Sequence, residues 1–151
     1  MSKIKVQQPI VHTPSFKEYK ISGDELAMKY VGLGIAMPFP RSDYWYYHTD
    51  PEGWAKVLSD LVIKSNLTKK DKFDCEDYAL KAQVMCAERH GLNTLRYTYG
   101  KMPLGYHGFN SFWVGDRFML FEPNEGFFDY LGGNLVFELG DNGYEPKAVL
   151  I

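Results

Sequence analysis

At Gly91 the sequence changes its period, and that change constrains the fold more than any other feature. Before it, apolar residues recur at helical spacing; after it, they fall in short β-rich runs punctuated by glycine and asparagine. Helices first and strands afterwards is the order of an α+β protein, with a helix packed on an antiparallel sheet. At 151 residues the chain is sized for one core, so residues 1–151 read as a single domain. No internal repeat interrupts that reading.

The elements follow from local chemistry. Residues 1–20 read as an extended arm, because Pro9 and Pro14 oppose helix. Ser22 to Val31 reads as a helix capped by Ser22, with Glu25 completing a capping box. Gly32, Gly34, Pro38 and Pro40 break regular structure, so residues 32–50 read as a long loop rich in rings: Phe39, Tyr44, Trp45, Tyr46 and Tyr47. Those rings either wall a substrate groove or pack on the helices. Packing is the favoured reading, since buried rings contribute large area. Asp50 caps a second helix with Pro51 at its first position, and Trp54, Val57, Leu58, Leu61 and Val62 form its stripe as far as Ser65–Asn66. Asp74 caps a third helix that ends at Arg89–His90, with Gly91 as its C-terminal cap. Strands are expected at Thr94–Tyr99, Tyr106–Val114, Arg117–Glu122, Asn134–Leu139 and Tyr144–Ile151, the second and third joined by a two-residue Gly115–Asp116 turn.

Composition excludes several function classes. Net charge is −2 with no basic stripe, so no nucleic-acid partner is expected. No apolar run approaches a membrane span, and the first residues lack a signal-peptide stretch, so the expectation is a cytoplasmic chain with no membrane partner. The two cysteines, Cys75 and Cys86, fall on one helix about 16 Å apart, too far for a disulfide. Neither CxxC nor His-x-x-x-His spacing occurs, and no metal site or cofactor is read from the sequence.

Three residues carry the chemistry. A thiolate attacks where a thiol hardly does. Cys75, one residue past the helix cap, feels the positive end of the helix dipole, while Asp74, Glu76 and Asp77 oppose ionisation. A close imidazolium must outweigh them. In the hairpin, a two-residue turn pairs Val114 with Arg117, which sets Phe109 opposite Glu122 and His107 opposite Asn124. Alternation then puts His107, Phe109, Ser111 and Trp113 on one face, with Glu122 diagonal to His107 on the same face. One residue of slip moves Glu122 away and leaves Asn124 as the orienting residue. Each residue alone has a plain alternative: a buried core thiol, a loop histidine, an exposed strand-end charge. Their order and spacing together mark a Cys-His-acid nucleophilic site. His90 is accounted for at a helix C-terminus, and His12 and His48 lie in the arm and the ring-rich loop.

Asp-Cys-Glu-Asp-Tyr-Ala at 74–79 resembles the nucleophile helix of transglutaminase-like, papain-like cysteine proteases. His107-Gly-Phe-Asn-Ser-Phe-Trp-Val-Gly-Asp-Arg-Phe-Met-Leu-Phe-Glu122-Pro resembles that superfamily's histidine strand, hairpin and acid-proline element. The acid there is usually aspartate; glutamate is closer to the protease domain of fungal agglutinins. The resemblance spans about residues 70–126. It implies a papain-like fold and amide chemistry through a thioester on a peptide or protein substrate, with Cys75 attacking, His107 as base then acid, and Glu122 orienting His107. The calcium dependence of the fungal agglutinin proteases is not carried over, since no ligand set for it stands in the sequence. Papain-like enzymes also use a glutamine shortly before the cysteine, and residues 64–74 contain none; Gln8, Trp45 and Tyr47 are the substitute donors considered.

Four activities fit these residues. Cysteine peptidase or amide hydrolase leads. Transglutaminase-type acyl transfer uses the same residues. Cell-wall peptide hydrolysis ranks lower, because those enzymes follow their cysteine with Ser-Gly rather than Glu76-Asp77. An inactive binding module on the same scaffold is the non-enzyme reading.

Overall fold

The computed structural model describes residues 15–151. In chain order the elements are β1 (Glu18–Ser22), α1 (Gly23–Gly32), β2 (Trp45–Thr49), α2 (Pro51–Asp60), α3 (Cys75–His90), β3 (Arg96–Met102), β4 (Gly105–Trp113), β5 (Phe118–Phe121), β6 (Val136–Glu138) and β7 (Glu145–Val149). Strands β3 to β7 form one antiparallel sheet in the order β6-β5-β4-β3-β7; β1 and β2 form a separate antiparallel pair. This is the expected α+β architecture, with α3 packed on β3 and β4. No helix among the described residues is long and apolar enough to cross a membrane.

The caps form where the sequence chemistry puts them. Ser22 Oγ accepts from the Glu25 N–H, and Asp50 Oδ1 accepts from the Gly53 N–H, with Pro51 at the first position of α2. Gly91 closes α3 in the left-handed conformation, φ 69°, which a side chain disfavours. The hairpin register also holds. Val114 N–H donates to the Arg117 carbonyl, and Trp113, Phe112, Ser111 and Asn110 pair with Phe118, Met119, Leu120 and Phe121.

Four expectations need correction. The segment read as loop contains β2, which pairs with β1: Tyr46 stands opposite Ile21 and His48 opposite Tyr19. Of the arm at 1–20, residues 1–14 lie outside the described residues, Gln8 and His12 among them, and Glu18 onward is strand. Helix α2 stops at Asp60 rather than near Ser65–Asn66. There Leu61 N–H closes on the Leu58 carbonyl, and Ile63 leaves to bridge Asn124, donating to the Pro123 carbonyl and accepting from the Glu125 N–H. A β-branched residue gains more from that bridge than from another helical turn. The last two strands are shorter than read and sit at opposite edges of the sheet; Pro146 is tolerated because β7 is an edge.

Two apolar clusters flank the sheet. The larger joins Trp54, Leu58 and Leu61 of α2 and its cap, Tyr78, Ala82 and Cys86 of α3, and Phe109, Phe112 and Phe121 of the sheet. The smaller joins Leu26 and Tyr30 of α1, Tyr46, Trp113 and Phe118. Trp54 Nε1 ties the two by donating to the Trp113 carbonyl at 2.9 Å.

One contact sets how closely α3 lies on β4. A Cβ at Gly108 would meet the Glu76 Cα at 3.0 Å, the Tyr97 Cε2 at 3.0 Å and the Glu76 N at 3.2 Å. The first turn of α3 therefore occupies the space a side chain would need. Two residues on, buried Asn110 donates to the Ala79 carbonyl at 3.0 Å and clamps the second turn. Gly108→Ala is expected to push the helix start off the strand, costing about 1–3 kcal/mol in urea denaturation. Gly32→Ala, at the end of α1 where a Cβ would meet nothing within 4 Å, serves as the comparison and costs less.

Candidate active site

Cys75 is the first residue of α3, with Asp74 at the N-cap position and Asp77 Oδ2 accepting from the Asp74 N–H at 3.2 Å. The thiol is free and half-buried. Its position leaves the backbone N–H without an intrahelical acceptor and the sulfur at the positive end of the helix. Cys86, three turns further along the same helix, is sealed in the core, and burial pushes its thiol far up.

His107 comes from β4 and Glu122 from the residue after β5. Their side chains meet where the hairpin register aims them: His107 Nε2 lies 2.6 Å from Glu122 Oε2, and both residues are buried. The Cys75 sulfur lies close enough to the imidazole to act on its charge alongside Glu122. With Nε2 turned to Glu122, Nδ1 is left for the sulfur. Burial works against a charge on His107, but Cys75 and Glu122 together outweigh that and raise its pKa to about 9. The imidazolium is the dominant form at neutral pH.

A carboxylate 1 % exposed needs more than one partner. Glu122 Oε2 also accepts from the Tyr144 hydroxyl at 3.2 Å, and Oε1 accepts from the Asn124 N–H at 3.3 Å. Burial first, then the Glu122 charge, pushes the Tyr144 phenol far up, so it stays a neutral donor. Rings wall the imidazole: Phe127 at 5.0 Å, Tyr144 edge-on at 6.0 Å and Phe109 stacked at 6.2 Å between centroids.

Asn124, the alternative orienting residue, does not turn to His107; its side chain accepts from the Gly126 N–H and caps the short turn 125–127. Trp45 and Tyr47 lie at the wrong end of α3 to serve as oxyanion donors. Asn93 and Thr94, just past the helix C-terminus, bond the Trp45 and Tyr47 backbone, about 22 Å along the axis from Cys75. The ring cluster is split accordingly: Tyr46 is fully buried and Tyr47 packs on the core, while Tyr44 and Trp45 are exposed. His90 bonds Asp60 across from α2, and His48 is buried against Tyr19. Tyr144 and Phe127 went unread because nothing local in their segments points to a histidine strand far upstream.

Acidic groups crowd the sulfur. The Cys75 thiol donates to Glu76 Oε2 at 3.3 Å. Asp74 and Glu76 share a hydrogen bond, which holds Glu76 below and Asp74 above the usual carboxylate range. Among the described residues, Asp74, Cys75 and Glu76 are the group with ligand atoms close enough together to hold a metal ion, within 4.8 Å of one another.

The His107–Glu122 pair makes stability depend on pH. A histidine whose folded pKa lies above its unfolded value stabilises fully below about pH 6.5, and that contribution is lost as pH rises through about 9. Glu122→Gln is therefore expected to destabilise most near pH 6 and progressively less as pH rises from about 6.5 to 9. Glu122→Ala is expected to cost about 3–5 kcal/mol at neutral pH, by stranding a buried partner. Denaturant titrations across pH check both.

No protein-family model matches the chain, and no curated protein does. Among solved structures the chain is similar to the protein of the PSL1a-E64 complex, a papain-like cysteine protease bound to the inhibitor E64. The TM-score is 0.63 at 17 % identity, over 87 % of this chain and 51 % of that one. This chain thus spans about half the length of the protein it matches. The likeness establishes a papain-like fold, as the motifs at 74–79 and 107–123 imply.

Proposed function

We propose that the chain is a cysteine peptidase or related amide hydrolase that works through Cys75, His107 and Glu122. One observation carries the reading: a buried imidazole bonded to a buried carboxylate, with a helix-start thiol close enough to help hold it charged. A structural core has no need of that grouping. Burying a charged pair costs more than burying apolar groups of the same volume, and it persists where chemistry requires it.

In this reading the Cys75 thiolate attacks the carbonyl carbon of an amide. The negative oxygen of the tetrahedral intermediate is met by the Cys75 backbone N–H and the positive end of α3. The His107 imidazolium gives its proton to the leaving amine, and the product is a thioester on Cys75. Neutral His107 then takes a proton from water as it attacks the thioester, and the acid leaves with the thiolate restored. Glu122 fixes the tautomer and keeps the ring turned, and Tyr144 and the Asn124 N–H in turn hold Glu122. A peptide or protein is the substrate class, by distant likeness to a papain-like protease. An amine in place of water would give transamidation with the same groups.

The test is selective modification. Iodoacetamide at pH 7 is expected to label Cys75 at least about 100-fold faster than Cys86, read by peptide mass mapping. His107→Ala is expected to remove most of that selectivity, since positioned proton transfer and charge contribute about 100-fold or more. Slow, equal labelling of both cysteines contradicts the proposal.

A further inference from the structure

Next to Cys75 the sheet carries a ladder of tyrosines that the chemistry above leaves unused. In the β3–β4 register Tyr97 stands opposite Asn110, Tyr99 opposite Gly108 and Lys101 opposite Tyr106. Opposed residues share a face, so Tyr97, Tyr99 and Tyr106 stand on the face that carries Gly108. The first turn of α3 fills the space over Gly108, with Glu76 and the Tyr97 ring as its neighbours. This face therefore runs from Cys75 and Glu76, past Tyr97, onto Tyr99 and Tyr106. The Tyr97 phenol lies within electrostatic reach of Cys75, Glu76 and Tyr99. Tyr99 and Tyr106 are stacked, 5.5 Å between centroids and 4° between planes, and are 41 % and 63 % exposed. Two large rings left in water on the face that carries Glu76 and Tyr97 form an exposed aromatic surface a ligand can cover.

The charge at the inner end of the shelf says what covers it. Glu76 is exposed, and neither it nor Asp74 takes part in an ion pair among the described residues. Asp74 Oδ1 is buried without a hydrogen-bond partner there, and carboxylate oxygens of Asp74 and Glu76 lie within 4.8 Å of each other. They stand side by side with no cation between them. At the outer end a cation already sits on the aromatic face: Lys101 Nζ lies 5.5 Å from the Tyr106 centroid, and its charge faces Glu145. The shelf thus accepts an amine against its rings, and its inner half offers a second such seat beside a carboxylate.

We infer that this shelf is a specificity subsite for a basic side chain, lysine or arginine, close to the scissile bond of a peptide substrate. Glu76 pairs with the charge, and Tyr99 and Tyr106 cover the stem and the cation. An acidic side chain is rejected by the same carboxylates. The inference rests on Cys75 being the nucleophile.

A matched pair of inactivators tests it: epoxysuccinyl-leucyl amides that end either in a guanidinobutyl group or in an uncharged 3-methylbutyl group. The rate of Cys75 modification is read by mass spectrometry. The charged probe is expected to react about tenfold faster, a preference that shrinks as salt rises. The ratio is expected to fall to near one in Glu76→Gln and to drop in Tyr99→Leu but not in Tyr99→Phe, which keeps the ring. Modification by the neutral probe shows in each variant that the site is folded. Equal rates for the two probes in the unaltered protein, with labelling still lost in His107→Ala, overturn the shelf and leave the nucleophile in place. Failure of both probes to modify Cys75 overturns the shelf and the proposed function together.

Discussion

A missing side chain governs this fold. Gly108 lets the first turn of α3 rest directly on the β4 backbone, and the position after His107 is the point of contact. Because α3 is clamped one turn later by Asn110, the helix start has little freedom to drift. The thiol of Cys75 and the ring of His107 come from elements separated by about thirty residues, yet they meet through backbone packing rather than through long flexible side chains. Such an arrangement is stiff, and stiffness in the shell around reacting groups is what holds geometry within tolerance.

The second constraint is the parity of the β4–β5 hairpin. A two-residue turn at Gly115–Asp116 sets the pairing, and the alternation along both strands then brings Glu122 to His107. The pair is buried, so it needs further partners, and these arrive from two other places: Tyr144 at the start of β7 and the Asn124 backbone after Pro123. The Ile63 bridge steadies that second segment by bonding on both sides of Asn124. Helix α2, the loop after it, the hairpin and the last strand thus all bear on one imidazole. In the proposed reading, the positive charge that results is what lets a helix start surrounded by three acidic residues support a nucleophilic sulfur.

What could be read from the sequence was local. The caps at Ser22, Asp50, Asp74 and Gly91 each depend on one or two neighbours, and each forms, although the Glu25 side chain pairs with Lys29 instead of completing the capping box read at Ser22. The hairpin register was legible for the same reason, because turn length and alternation determine it without reference to the rest of the chain. Strand β2 was hidden. Its partner lies more than twenty residues upstream, and glycines and prolines just before it argue for loop. The end of α2 was hidden because Leu61 and Val62 continue an apolar helical stripe, whereas Ile63 is claimed by a distant bridge. Tyr144 and Phe127 reach His107 only once the sheet has curled, and no spacing rule carries that information. The ring cluster at 44–47 divided between core and surface in a way composition does not foretell.

The account stands on one imidazole being held charged from both sides. An NMR pH titration of the His107 ring tests this directly, in the unaltered protein and in Cys75→Ala. The expected midpoint lies well above the ordinary value of 6.5, toward about 9, and falls when the sulfur is removed. A midpoint at the ordinary histidine value, or one indifferent to Cys75, contradicts it.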